Sequence, residues 1–293
     1  MNATKFSDLS RRSFLVKGAV GIAGASWAAS GLLAAEDYGG KKLPIGLQLY
    51  TVGGDLKKDP AGTLATVAKL GFKGVEFAGF PSQDAKEVRK MLDDNGLKCC
   101  GSHTGMAALQ GDGYAKQVEF AKTIGNTRLI SPSLFGKWSD DPEKDRKTVE
   151  DKADQMNELA EKLKADGLRT GFHCHPGEFK KIGDSTVWDI FFTRAKKDVI
   201  MQCDLGHMGS AGVDPVVYMK RYPGRAASVH VKPSARKKGG GLVGDENDDL
   251  KWPEIFKACE SVGGTEWYIV EYDGGSMEKA QKTIELLKSW GKV

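Results

Sequence analysis

The sequence predicts an α/β chain folded as one (β/α)8 (TIM) barrel behind an N-terminal export leader, and three observations predict it. Strand-like and helix-like segments alternate through eight units in about 250 residues, the count of such a barrel. The glycine fingerprint of a doubly wound sheet is missing after the first strand, where Gly53-Gly54 does not supply it. All five histidines fall just past strand-like segments, at the rim where this fold carries its chemistry.

The units follow in order. A strand over 44–50 precedes a segment with helical spacing over 61–70, and a strand over 72–77 precedes a helix over 83–95 that Gly96 ends. The third unit is 97–102 with 114–124, and the fourth is 127–131 with a long charged helix, 141–165, stopped by Gly167. Then come 168–173 with 187–195, 199–204 with 215–221, 226–231 with 252–261, and 266–271 with 277–290. No internal linker interrupts the series, so residues 42–293 are read as one domain.

The leader accounts for most of the charge. Lys5, Arg11, Arg12 and Lys17 against Asp8 carry +3 of the formal +4, which leaves the remainder near +1 and excludes a basic surface for nucleic acid. Residues 10–17, Ser-Arg-Arg-Ser-Phe-Leu-Val-Lys, are similar to a twin-arginine export signal, and a charge-free Gly/Ala-rich run follows to residue 35. The expectation is a signal over 1–35, a periplasmic protein, and contact with the membrane only through export. An uncleaved anchor is the alternative, but the run is short for a span and diluted by glycine and serine. Twin-arginine export carries folded proteins, which suits a chain loaded with its cofactor in the cytoplasm. The cysteines, 99, 100, 174, 203 and 259, are odd in number and mostly inside apolar runs, so buried thiols are expected rather than a disulfide framework.

The central motif is His173-Cys174-His175-Pro176-Gly177-Glu178, coming straight off an apolar strand. Side chains two apart on a strand share a face, so His173 and His175 aim together, with Glu178 on the loop beyond. The strand-end rule adds Gln48, Glu76, His103, Asp204, His207, His230, Lys232 and Glu271. Acids and imidazoles from separate strands can hold a divalent ion, Mn²⁺, Mg²⁺, Co²⁺ or Zn²⁺. The candidate ligands are Glu178, Asp204, His230 and Glu271, with His173 or His175 as the alternative to Glu178. Asp204 also reads as a helix N-cap, Glu271 as a strand-end salt bridge, and Lys232 as a solvated lysine. Glu178, Glu271, His175 and Lys232 are the candidate catalytic groups, and Gln48, Glu76, His103, His173 and His207 the candidate substrate contacts.

The segments Val75-Glu76-Phe77, Gly101-Ser102-His103, His173 to Phe179, Cys203 to His207, Ser228 to Lys232 and Ile269-Val270-Glu271 together resemble the sugar phosphate isomerase/epimerase family, the xylose isomerase-like barrels. The resemblance covers nearly the whole chain after the leader. It implies a metal-dependent isomerase or epimerase that abstracts a proton next to the carbonyl of a keto-sugar or cyclitol through a metal-bound enediolate. Epimerases of the family commonly carry glutamate where this chain has His173. His-x-His-x-x-Glu-Phe is more similar to a branch associated with keto-sugars, which implies a lyase or dehydratase that cleaves 3-keto-glycosides by β-elimination. The nuclease members need more metal ligands than five histidines and a near-neutral chain offer. A periplasmic sugar-binding protein without catalysis is the reading from another class. The expected partner is a small sugar or keto-sugar, with homo-oligomerisation and pairing with a sugar oxidoreductase left open.

Overall fold

Eight short strands run parallel and close into a ring in the computed structural model, which describes residues 38, 40–139, 141–234, 236 and 241–293. The leader expected over 1–35 lies outside the described residues. The strands are β1 (Ile45–Gln48), β2 (Gly74–Phe77), β3 (Lys98–His103), β4 (Arg128–Ser131), β5 (Arg169–His173), β6 (Ile200–Asp204), β7 (Ser228–Val231) and β8 (Trp267–Val270). Each pairs with its sequence neighbours, and β8 closes the ring on β1. Most strand residues are buried because both faces are covered, as parallel strands require.

The pleat sorts the side chains. Val75, Leu129, Phe172, Met201, Val229 and Val270 face outward into the main core under the helices. Their alternates Cys100, Trp267 and Ile269, and Ile130 with Ile200, form small apolar clusters of their own inside the ring. Continuing the same period of two toward the C-terminal end gives Ile200, Gln202, Asp204 on β6 and Ser228, His230, Lys232 on and after β7. The inner column therefore turns from apolar to polar as it rises to the rim.

Helix starts follow their caps. The long helix Pro142–Ala165 begins where Asp141 accepts from the backbone N–H groups of Glu143 at 2.9 Å and Lys144 at 3.2 Å. Asp59, Asp84, Thr186, Asp214 and Ser276 cap five other helices in the same way. The expected strand over 44–50 is shorter, because the Gln48 side chain accepts from Tyr50 N and turns the chain into a 3-10 helix, Leu49–Val52. The helix expected over 252–261 ends at Ala258 and continues as one π turn, Cys259–Gly263. Among the unexpected pieces are the helix Gly53–Lys58, the 3-10 turns Met106–Leu109 and Pro176–Phe179, and a small ribbon of Lys181–Ile182 with Ser185–Thr186, while Leu205–Ser210 is the helix that the N-cap reading of Asp204 implies. All five cysteines are free and buried, as expected. Among the described residues no helix is long and apolar enough to cross a membrane.

Candidate metal centre

Strand ends β5 to β8 bring His173, Asp204, His230 and Glu271 together, one ligand atom from each lying within 4.8 Å of all the others. All four are buried. Asp204 does two jobs. Its Oδ1 accepts from His207 N at 2.8 Å and caps the short helix Leu205–Ser210, while buried Oδ2 has no hydrogen-bond partner. The N-cap reading of that residue holds for Oδ1, and Oδ2 is the oxygen that could serve a ligand.

His230 is oriented from behind. Its Nε2 lies 2.6 Å from Glu76 Oε2, and an ionised carboxylate only accepts, so Nε2 carries the proton. Nδ1 is left facing Glu271 Oε2 at 2.7 Å and Asp204 Oδ2 at 3.8 Å, without a hydrogen-bond alignment to either. Burial opposes charge on this ring, yet the Glu271 and Glu76 carboxylates outweigh it and push its pKa up to about 10. A proton thus holds the place at neutral pH that a metal ion would take.

Gln202, which sequence reasoning missed, sets the other imidazoles. Its Nε2 donates to Glu76 Oε1 at 2.8 Å and to Ser228 Oγ at 3.0 Å, which fixes the amide orientation. Oε1 then accepts from His173 Nδ1 at 3.0 Å and His103 Nε2 at 2.9 Å. His173 consequently keeps its Nε2 lone pair free for an ion, and burial holds its pKa well below the usual imidazole value. Gln48 Nε2 completes the shell with a 2.8 Å bond to Glu76 Oε2. Gly101 is required beside it, since a Cβ there would stand 2.6 Å from Glu76 Oε1. The available signal for Gln202 was its place two residues before Asp204, a polar residue on the inward face of a buried strand.

Gln48, His103, His173, His175, His207 and Glu271 line a cavity of about 320 Å³ at the rim, together with Tyr50, Ala78 and Asp273. That volume suits a small ligand. Glu76 lies beneath it as a fully buried support rather than in its wall. Burial lowers the His175 pKa, and burial with the Lys232 charge lowers that of His207 to about 4, so both rings are neutral at pH 7.

Glu178 is placed elsewhere. It sits on the 3-10 turn Pro176–Phe179 with Oε2 accepting from His175 N at 2.7 Å, and no ligand group among the described residues includes it. The fourth member of the group is His173, because the strand points that side chain inward while the turn carries Glu178 past the mouth. Lys232 is not a solvated lysine: it is 6% exposed and lies 3.2 Å from Glu271 Oε1 and 2.7 Å from Asp273 Oδ2. In the acidic stretch over 244–249 after β7, Asp248 is consumed by its own surroundings, accepting from Ser234 N, Gly244 N and Trp252 Nε1.

The donor set fits a divalent ion: two imidazoles and two carboxylates, among whose atoms Asp204 Oδ2 and His230 Nδ1 are buried without a hydrogen bond. Comparison with known proteins agrees with the fold. The family model described as a xylose isomerase-like TIM barrel matches residues 64–290. A sugar phosphate isomerase/epimerase from Parabacteroides distasonis superposes with TM-score 0.72 at 23% identity, over 85% of this chain and 94% of that one. A probable 3-DHS dehydratase from Bacillus anthracis gives 0.63 at 11% identity, over 84% and 99%. The IolI protein, solved with a bound zinc atom, gives 0.61 at 14% identity, over 85% and 99%. No curated protein matches the sequence.

Proposed function

Because the chain belongs to the xylose isomerase-like TIM barrel family, we propose that it is a metal-dependent enzyme moving a proton at a carbon next to a carbonyl, foremost a sugar isomerase or epimerase. One observation carries the reading: His173, Asp204, His230 and Glu271 converge on a common point at the floor of a sugar-sized cavity. The zinc atom in IolI and the isomerase/epimerase likeness support it.

Bound there, a divalent ion would act as a Lewis acid on neighbouring oxygens of the substrate. The protein's own groups supply the proton chemistry. Burial would raise the Glu271 carboxyl, but the charge of the His230 ring, 2.7 Å away, and that of Lys232 outweigh it and keep it well below the usual carboxylate range. Glu271 is therefore ionised at neutral pH, as a carboxylate that holds an ion must be. Neutral His175 stands elsewhere in the cavity wall and can take or return a proton, a contribution of about 10²–10⁴-fold for a well-placed group. Buried Gln202 and Glu76 hold the rings in place, so little reorganisation accompanies the reaction.

A second reading, β-elimination from a 3-keto-glycoside, is favoured by one specific feature. Strand β5 contributes an imidazole, His173, to the ligand group, so Glu271 is not opposed by a matching carboxylate there. A neutral imidazole pair, His175 and His207 with ring centroids 4.9 Å apart, suits return of a proton to a leaving group. The likeness of residues 10–17 to a twin-arginine signal supports an exported enzyme acting on unphosphorylated sugars. The deciding experiment follows keto-sugars and 3-keto-glycosides by NMR in D₂O with Mn²⁺ added. Deuterium entering next to the carbonyl with the skeleton intact supports isomerisation, and release of the aglycone selects the lyase. A protein that binds sugar but no metal would overturn both in favour of a binding protein.

A further inference from the structure

A second ligand group adjoins the first. His207, Glu271 and Asp273 each bring one ligand atom within 4.8 Å of the others, and Glu271 belongs to both groups. One carboxylate shared by adjoining groups is what a pair of ions about 3.5–4 Å apart would use. Yet an amine already stands among the second group. Lys232 Nζ lies 3.1 Å from His207 Nε2, 3.2 Å from Glu271 Oε1 and 2.7 Å from Asp273 Oδ2, and its charge also faces Asp204 Oδ2 of the first group at 3.6 Å. An ammonium has three donors and no acceptor, as many as its three nearest partners. The backbone keeps the stem in place: a Cβ on Gly206 would stand 2.7 Å from Lys232 Cγ.

Building on the ion centre argued above, we propose that Lys232 is a tethered cation filling a second metal position, so that the centre takes one ion and loss of the amine opens a site for another. Lys232 then acts as a positioning residue. It occupies Glu271 Oε1 and leaves Oε2, which faces His230, for the ion. It reaches substrate only if one partner lets go, and Asp273, whose side chain is 61% exposed, is the one free to move.

The test counts ions in the metal-stripped full chain after loading with Mn²⁺ and gel filtration, by elemental analysis and by electron paramagnetic resonance. Wild type should hold one isolated Mn²⁺. Lys232→Ala and Lys232→Met, the latter keeping the apolar stem, should hold two with an exchange-coupled spectrum, and Asp273→Asn added to either should restore one. One ion in the Lys232 variants, or two in wild type, overturns this inference and leaves the ion centre standing. No ion in wild type overturns the centre itself and the inference with it. Should Lys232→Ala not fold, the Met variant and the wild-type count decide.

Discussion

At the N-terminal mouth of the barrel Glu266 bridges Arg128 and Arg169, and at the C-terminal mouth Asp204 and Glu271 meet His173 and His230. Both ends are charged and both leave a buried polar atom without a hydrogen bond, but of opposite kinds. Below, the carboxylate has a guanidinium for each oxygen, and the leftover atom is Arg128 Nε, a donor on a permanently charged group. Above, the leftover acceptor is Asp204 Oδ2, a carboxylate oxygen that can offer a lone pair, and His230 Nδ1 can offer one once its proton leaves. A surplus donor repels cations, whereas surplus acceptors in a buried site attract one. The lower cluster closes the structure, and the upper one is a group that could hold an ion.

That contrast can be broken most forcefully at Asp204. Asp204→Ala should lose the bound ion while near- and far-ultraviolet circular dichroism stay native, and stoichiometric metal in the variant would contradict the assignment. Gln202→Leu, which touches no proposed ion, should weaken metal affinity about 10–100-fold by freeing His173 and His103, as read by calorimetric titration. Glu266→Ala should do the reverse. It should cost about 1–2 kcal/mol, less than a fully buried pair because Glu266 is 42% exposed, and lower the melting temperature with metal content unchanged. Glu178→Ala should be mildest, costing about 1 kcal/mol through the lost bond to His175 N and leaving the ion bound. Loss of the ion there would return Glu178 to the ligand set.

The barrel was legible because its signals are local. Apolar runs punctuated by Gly96 and Gly167, and a strand-end position for every histidine, do not depend on knowing what packs against what. Boundaries slipped where a side chain caps the backbone: Gln48 turns its own strand into a 3-10 helix, and Asp204 starts a helix the periodicity did not announce. Three of the four residues in the ligand group were likewise named from position, and the fourth was left between Glu178 and a histidine.

Sequence by itself determined the eight-unit order and which residues reach the rim, since the period of a strand and the ends of apolar runs are written along the chain. Only the tertiary structure decided how those residues divide the work. Whether an acid ligates or caps, whether an imidazole shows its lone pair inward, and whether Lys232 is solvated or locked between Glu271 and Asp273 depend on partners up to 154 residues away, as for His230 and Glu76. Hydrogen-bond direction and burial are properties of the closed ring, and no stretch of sequence contains them.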